Sequence, residues 1–166
     1  MANQITRRDF GARLSGLLAT GVAASSESQA FAAARRKLPV AAVVTEYRNN
    51  SHADVIVGKV LEGWRQDGQA GPDLRLVSMY TDQVPKGDLS RGLAEKHRFP
   101  IVKTIEQAIR QPGGDDRIEG VLSIGEHGNY PYTKTTRQHM YPRRRFFDEI
   151  VAAMQKAGRI VPVFSD

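Results

Sequence analysis

Most of the side chains able to do chemistry fall in two short polar stretches. The first, "VVTEYRNNSHAD" (43–54), carries Glu46, Arg48, Asn50, Ser51 and His52, and the second, "GEHGNYP" (125–131), carries Glu126, His127 and Tyr130. Glu126 and His127 are the catalytic candidates. A carboxylate beside an imidazole suits general acid/base work, the holding of sugar hydroxyls, or, with Glu46 and His52, a metal. Neighbours on a continuing strand face opposite ways, so both serve one site only if the chain turns there. A structural or solvated His127 is the plain alternative, and we assign no metal site. "YPRRRFF" (141–147) sets Arg143, Arg144 and Arg145 ahead of a helix. A helix dipole disfavours cations at that end, which points to an anionic ligand or acidic partner, unless Asp148 and Glu149 neutralise them locally.

The elements that must position these residues alternate strand and helix. "PVAAVV" (39–44) reads as a buried strand, and Ser51 with Asp54 opens the next helix in capping-box spacing. Val55, Ile56, Val60, Leu61 and Trp64 recur at helical spacing and are expected in the core. "LRLVSMY" (74–80), "FPIV", "GVLSIG" (120–125) and "RIVPVF" supply four further strands. Between them come a helix capped by Asp88 and running to His97, and one boxed by Thr104 and Gln107 that ends at "QPGGDD". A last helix, 146–157, is expected to bury Phe147, Ile150, Val151 and Met154 and to stop at Gly158. Repeated βα units with continuously apolar strands predict an α/β, Rossmann-like parallel sheet of order 3-2-1-4-5 with helices on both faces. Ligands of such sheets bind beyond the carboxyl ends of the strands, so the loops after Val44, Tyr80, Gly125 and Phe164 matter most. In the second of these, Asp82 suits ribose hydroxyls or is simply a turn residue before Pro85 and Gly87. The polar connection from Gly128 to Arg145 is too long for a routine βα loop and is expected to be functional or disordered.

Composition narrows the classes. A chain of 166 residues with 40% hydrophobic and 25% charged content is globular and holds one ordinary domain. With no cysteine, any metal would use His and carboxylate. The net charge of +6 invites a nucleic-acid partner, but the basic residues are interspersed with acids, and that reading is set aside. No apolar run is long enough to span a membrane in the mature form. Residues 1–34 look like a twin-arginine export signal: "TRRDF", a modest apolar region, and small-residue cleavage sites near 30 or 34. This predicts a periplasmic or secreted protein whose export partner reads the signal, with residues 35–166 as the mature domain. A basic arm or short helix is the alternative reading.

The first loop stands where a dinucleotide-binding unit carries Gly-x-Gly-x-x-Gly, and it lacks those glycines. Even so, the run from "MYTDQ" through "DLSRGLAEKHRFPIVKTIEQAI" to "RIEGVLSIGEHGNYP" resembles the nucleotide-binding domain of the Gfo/Idh/MocA oxidoreductases, which include glucose-fructose oxidoreductase. "SHADVI" matches that family's first helix, and residues 38 to 166 are similar throughout to a group of twin-arginine-signal proteins related to it. The resemblance implies an oxidoreductase-related domain, with NAD or NADP held by Arg48, Asn50, Ser51, His52 and Asp82. The family's substrate domain and its Lys-Pro motif have no counterpart, so a fragment lacking a C-terminal substrate domain is expected. Tyr47, Arg48 and the two asparagines would crowd a pyrophosphate, which favours a small carbohydrate-like ligand held by Glu46, Tyr130, Arg143, Arg144 and Arg145. If the chain is an enzyme, it is NAD(P)-dependent and oxidoreductase-like. A non-enzymatic periplasmic binding or interaction module is the alternative, and a metal-dependent hydrolase the third reading.

Overall fold

The computed structural model describes residues 36–110 and 117–166. The expected export signal and the "QPGGDD" helix end lie outside the described residues. Among the described residues nine elements follow in order: β1 (Leu38–Val44), α1 (His52–Glu62), β2 (Leu74–Thr81), α2 (Ser90–His97), β3 (Ile101–Val102), α3 (Ile105–Arg110), β4 (Gly120–Ile124), α4 (Arg143–Ala157) and β5 (Val163–Ser165). The five strands form one parallel sheet in the order β3-β2-β1-β4-β5, as the alternation of elements predicts. The central strand β1 runs beside β2 from Leu38/Leu74 to Val44/Thr81, with one register shift at Val40/Ala41, and beside β4 from Val40/Gly120 to Val44/Ile124.

The continuous apolar run of β1 is explained by burial on both faces. Ala41 and Val43 pack on one side with Ile105, Ala108, Phe146, Ile150 and Met154 of α3 and α4. Val40, Ala42 and Val44 pack on the other with Ala53 and Val57 of α1, and with Leu93 of α2 against the same cluster. Helices therefore cover both faces. β1 and β4 adjoin while their following connections leave toward different faces, which makes their carboxyl ends the topological switch point.

Three expectations about helices need correction. On α1, Val55 and Trp64 are exposed, and the inward face is Ala53, Val57 and Gly58, with Ile56, Val60 and Leu61 half-buried. Small residues let this helix lie close to the sheet, so its bulky positions fall to the flanks and Trp64 lies past its end. On α2 the cap position belongs to Leu89, and the Asp88 carboxylate accepts from the Ser90 hydroxyl instead of a backbone amide. The helix α4 begins three residues earlier than its apolar pattern suggests, which puts the arginines in its first turn. Its core face is Phe146, Ile150, Ala153 and Met154, while Phe147 is half-exposed and Val151 partly buried. The spacing 146, 150, 153/154 is a clean helical stripe, whereas Phe147 lies one position, about 100°, off it. Gly158 ends α4 at φ 65°, as expected of a C-cap glycine.

Candidate functional site

The loop after β1 is shaped by local chemistry. Ser51 is fully buried and caps α1, its hydroxyl accepting from the amides of Asp54 and Arg48. Asn50 supplies the turn: it sits at φ 59°, and its amide donates to the Asp54 carboxylate at 2.9 Å. Tyr47 does not crowd a ligand, because its side chain is wholly buried in the core on the α1 side. Burial first, and the charges of Asp54 and Glu62 second, hold its phenol well above the usual range, so it stays neutral. With Tyr47 turned inward, its two charged neighbours pair with each other, Arg48 Nε donating to Glu46 Oε1 at 2.5 Å. Glu46 is almost buried and Arg48 half-exposed.

The β4 loop meets this one directly. The Thr45 hydroxyl donates to the Glu126 carbonyl, and the Thr45 amide donates to the Ile124 carbonyl at 3.1 Å. At His127 the chain turns, with φ 67°, a conformation unusual for a residue other than glycine and one that costs on the order of 1 kcal/mol. That turn carries the imidazole to Arg48, whose Nη2 lies 3.4 Å from His127 Nδ1. His52, from the first turn of α1, stands edge-to-face on His127 with ring centroids 4.9 Å apart. Its own Nδ1 is 2.6 Å from Asp166 Oδ2. Burial, then the nearby charges of Arg48 and His52, push His127 below the usual histidine range and outweigh Glu46 and Asp166. Its Nε2 is enclosed and has no hydrogen-bond partner.

No protein-family model, curated protein or solved structure matches this chain.

A second cluster gathers at the end of β2. Asp82 accepts from the hydroxyls of Tyr80 and Tyr130 and from Arg145, each at 2.6 Å. Burial pushes the Asp82 carboxyl up, but the hydrogen bonds from Tyr130, Tyr80 and Arg145 outweigh it and hold it below the usual range. Burial and the bond to Asp82 raise the Tyr130 phenol. Arg145 is held even more firmly protonated, because the Asp82 bond outweighs the effect of burial. Next door, the Gln83 side chain clasps the backbone of Asn129 at both its amide (2.8 Å) and its carbonyl (3.1 Å). Gly128 lets the strap lie close: at φ 101°, a Cβ there would come within 2.6 Å of the Tyr130 ring. Beyond it, residues 130–141 double back as a small hairpin. Tyr132 and His139 form an isolated antiparallel bridge and stack at 3.9 Å, while Tyr141 bonds His139 at 2.8 Å. The long connection is thus an ordered strap laid from β4 across to β2.

The candidate residues sort into two groups and some outliers. Glu46, Arg48, His52 and His127 converge at the switch point. Tyr130, Asp82 and Arg145 converge at the β2 end instead, and Ser51 and Asn50 serve the helix cap and turn. Glu126 forms an ion pair with Arg143, whose stem crosses so near Gly125 that a Cβ there would sit 2.6 Å from Arg143 Cγ. Arg144 projects outward, 94% exposed along its side chain, and reaches only Asp148 one turn on. The dipole penalty on the three arginines is met by carboxylates from three places: Glu126, Asp82, and the helix's own Asp148 and Glu149. Among the described residues no three His, Asp or Glu side chains are grouped to hold a metal ion. Asp166 was not foreseen. Its signal was positional: it follows β5 at the same carboxyl edge of the sheet, in a loop recognised as relevant but left without a named residue.

Proposed function

We propose that residues 35–166 are an exported, oxidoreductase-related Rossmann-like domain that binds a small carbohydrate-like ligand at the β1/β4 switch point. The observation that carries this reading is the convergence there of Glu46, Arg48, His52, His127 and Asp166, with one enclosed imidazole nitrogen unpartnered. Polar side chains set at several angles suit a ligand with many hydroxyls better than a flat pyrophosphate, which asks for bare backbone and glycine. The β2 end argues in the same direction. In a dinucleotide site an acidic residue there binds ribose hydroxyls, but both Asp82 oxygens are engaged by Tyr80, Tyr130 and Arg145. NAD or NADP would have to displace the strap, so weak dinucleotide binding is the expectation. The proposal gives no acid/base role to Glu126 with His127, because Glu126 is committed to Arg143.

Calorimetry on the purified chain with NAD(H), NADP(H), neutral sugars and sugar acids tests the proposal. Sugar-type ligands are expected to bind, and His52→Ala and His127→Ala each to weaken them with the fold retained. A lost hydrogen bond should cost about 0.5–1.5 kcal/mol, or up to about 3 if a charged group is left unpaired. Micromolar dinucleotide binding would restore the cofactor reading. Unchanged binding in both variants, with a large loss of thermal stability, would make the histidines structural.

A further inference from the structure

One contact between the two loops at the switch point depends on the state of a single proton. Arg48 Nη2 lies 3.4 Å from His127 Nδ1. A guanidinium carries donors alone and does not give up its proton, so Nδ1 must accept, which only a neutral imidazole with its hydrogen on Nε2 can do. That Nε2 is enclosed and has no hydrogen-bond partner. A second proton would therefore set two donors face to face at Nδ1 and leave a cationic N–H shut in without an acceptor at Nε2. The carboxylates around the ring are already engaged. Glu46 holds Arg48 at 2.5 Å in the first loop, and Asp166 holds His52 at 2.6 Å after β5. Glu126 is ion-paired with Arg143 of α4, and Asp82 at the β2 end is bound to Arg145. His52 of α1 stands edge-to-face on the same ring. Burial and the charges of Arg48 and His52 accordingly hold His127 below the usual histidine range.

We infer that Arg48 and His127 form a proton-sensitive latch: the neutral imidazole ties the β4 loop to the first loop, and its protonation frees residues 127 and 128 to turn outward. The backbone supplies the path. His127 at φ 67° and Gly128 at φ 101° follow one another, the first a conformation that histidine adopts at a cost and the second one that glycine takes freely. With the side-chain contact gone, His127 can relax to negative φ while Gly128 absorbs the change. The movement is bounded on both sides. The Thr45 hydroxyl holds the Glu126 carbonyl, while Gln83 holds Asn129 and Asp82 holds Tyr130. Above the ordinary histidine value of about 6.5, neither form binds the proton and the latch is at full strength. As pH falls below it the open form takes up the proton first, and the closed form is disfavoured until its own, lower value is passed. By linkage the shift toward the open form is at most about tenfold one pH unit below the ordinary value. The latch does not depend on the ligand proposed above. What it regulates is access, since an imidazole shut away at neutral pH becomes open to solvent in mild acid.

NMR of the histidine-labelled chain with an uncharged gadolinium chelate as a solvent probe tests this without any ligand. The His127 ring should titrate below the usual histidine range, and the relaxation of its ring protons by the chelate should rise several-fold between neutral pH and about pH 5. The Gly128 α-protons should follow it. Arg48→Met removes the donor, so the ring should titrate closer to about 6.5 and be reached by the chelate at neutral pH as well. His127→Asn keeps an acceptor where Nδ1 stands, tolerates positive φ and cannot titrate, so Gly128 should stay shielded at both pH values. A His127 ring equally shielded at both pH values in the parent overturns the latch, whether or not the variants fold. So does acid exposure of Gly128 that persists in His127→Asn, which would make another group the trigger. An unmoved His127 titration in Arg48→Met would likewise remove Arg48 from the device.

Discussion

Replacing Asp82 with asparagine keeps the shape of the side chain and removes its charge, which isolates what the β2-end hub contributes. The carboxylate accepts three hydrogen bonds of 2.6 Å, two from phenols and one from Arg145. Bonds to a charged group are worth about 1.5–3 kcal/mol each, against about 0.5–1.5 for neutral ones. Asparagine has one acceptor oxygen, so one phenol bond is weakened to the neutral class and the other is lost. The Arg145 guanidinium is 43% exposed along its side chain, so its pairing is screened and counts at the surface range of about 0.2–1 kcal/mol. The sum is a loss of about 3–5 kcal/mol, or a fall in Tm of roughly 9–20 °C for a domain of this size. Differential scanning calorimetry at pH 7 measures it. The pH dependence supplies an internal control. The folded pKa of Asp82 lies below its unfolded value, so its contribution is fully present above the unfolded pKa, near 3.9, and is lost as pH falls through the folded one. Parent and variant should therefore converge in stability in strong acid. A Tm difference under about 2 °C at pH 7, or a gap that widens in acid, would refute the hub.

The phase of α4 is tested by two truncations: Phe146→Ala should cost about 3–5 kcal/mol in urea unfolding because the ring is fully buried, while Phe147→Ala, one residue on, should cost less than about 1. Ser51→Ala removes the α1 cap and should lower stability by about 1 kcal/mol, with a larger loss of ligand affinity because the cap also sets the pitch of the Arg48 loop. Arg7→Lys together with Arg8→Lys should reduce periplasmic accumulation in cell fractionation while leaving hydropathy almost unchanged, and undiminished export would count against the twin-arginine reading.

The sheet was legible because its strands announce burial: "PVAAVV" and "GVLSI" are apolar at every position but one serine, and only a strand covered on both faces reads that way. The Ser51 cap was legible for a local reason, since its hydrogen bonds span three residues. Helix phase was harder. Phe146 and Phe147 are adjacent and identical, so hydropathy cannot choose between them, and Trp64 follows helical spacing although α1 ends before it. For the site, topology was enough to bring the β1 and β4 loops together and so to unite His52 with His127. It was not enough to divide the polar residues between partners. Tyr130 bonds Asp82, 48 positions away, and His52 bonds Asp166, 114 away. Such pairings depend on where each loop's backbone points, and His127 and Gly128, both at positive φ, redirect the β4 loop.

Tyr47 gives the first loop and the strap beside it different clocks. Because it is sunk in the core between Glu46 and Arg48, and its carbonyl also receives the Leu89 amide at 2.8 Å, the first loop can open only when the sheet itself comes apart. Amide hydrogens of that loop should exchange with solvent no faster than those of β1. The strap from Gly128 to Tyr141 is tied to the sheet by the part-buried Tyr130–Asp82 bond and the exposed Gln83–Asn129 bonds, and beyond Tyr130 it is held by a single isolated bridge and a few bonds of its own, so the amides there should exchange through smaller openings than those of β1. The loop at the switch point is thus set during folding, with its ordering entropy already spent, while the neighbouring strap can part without disturbing it.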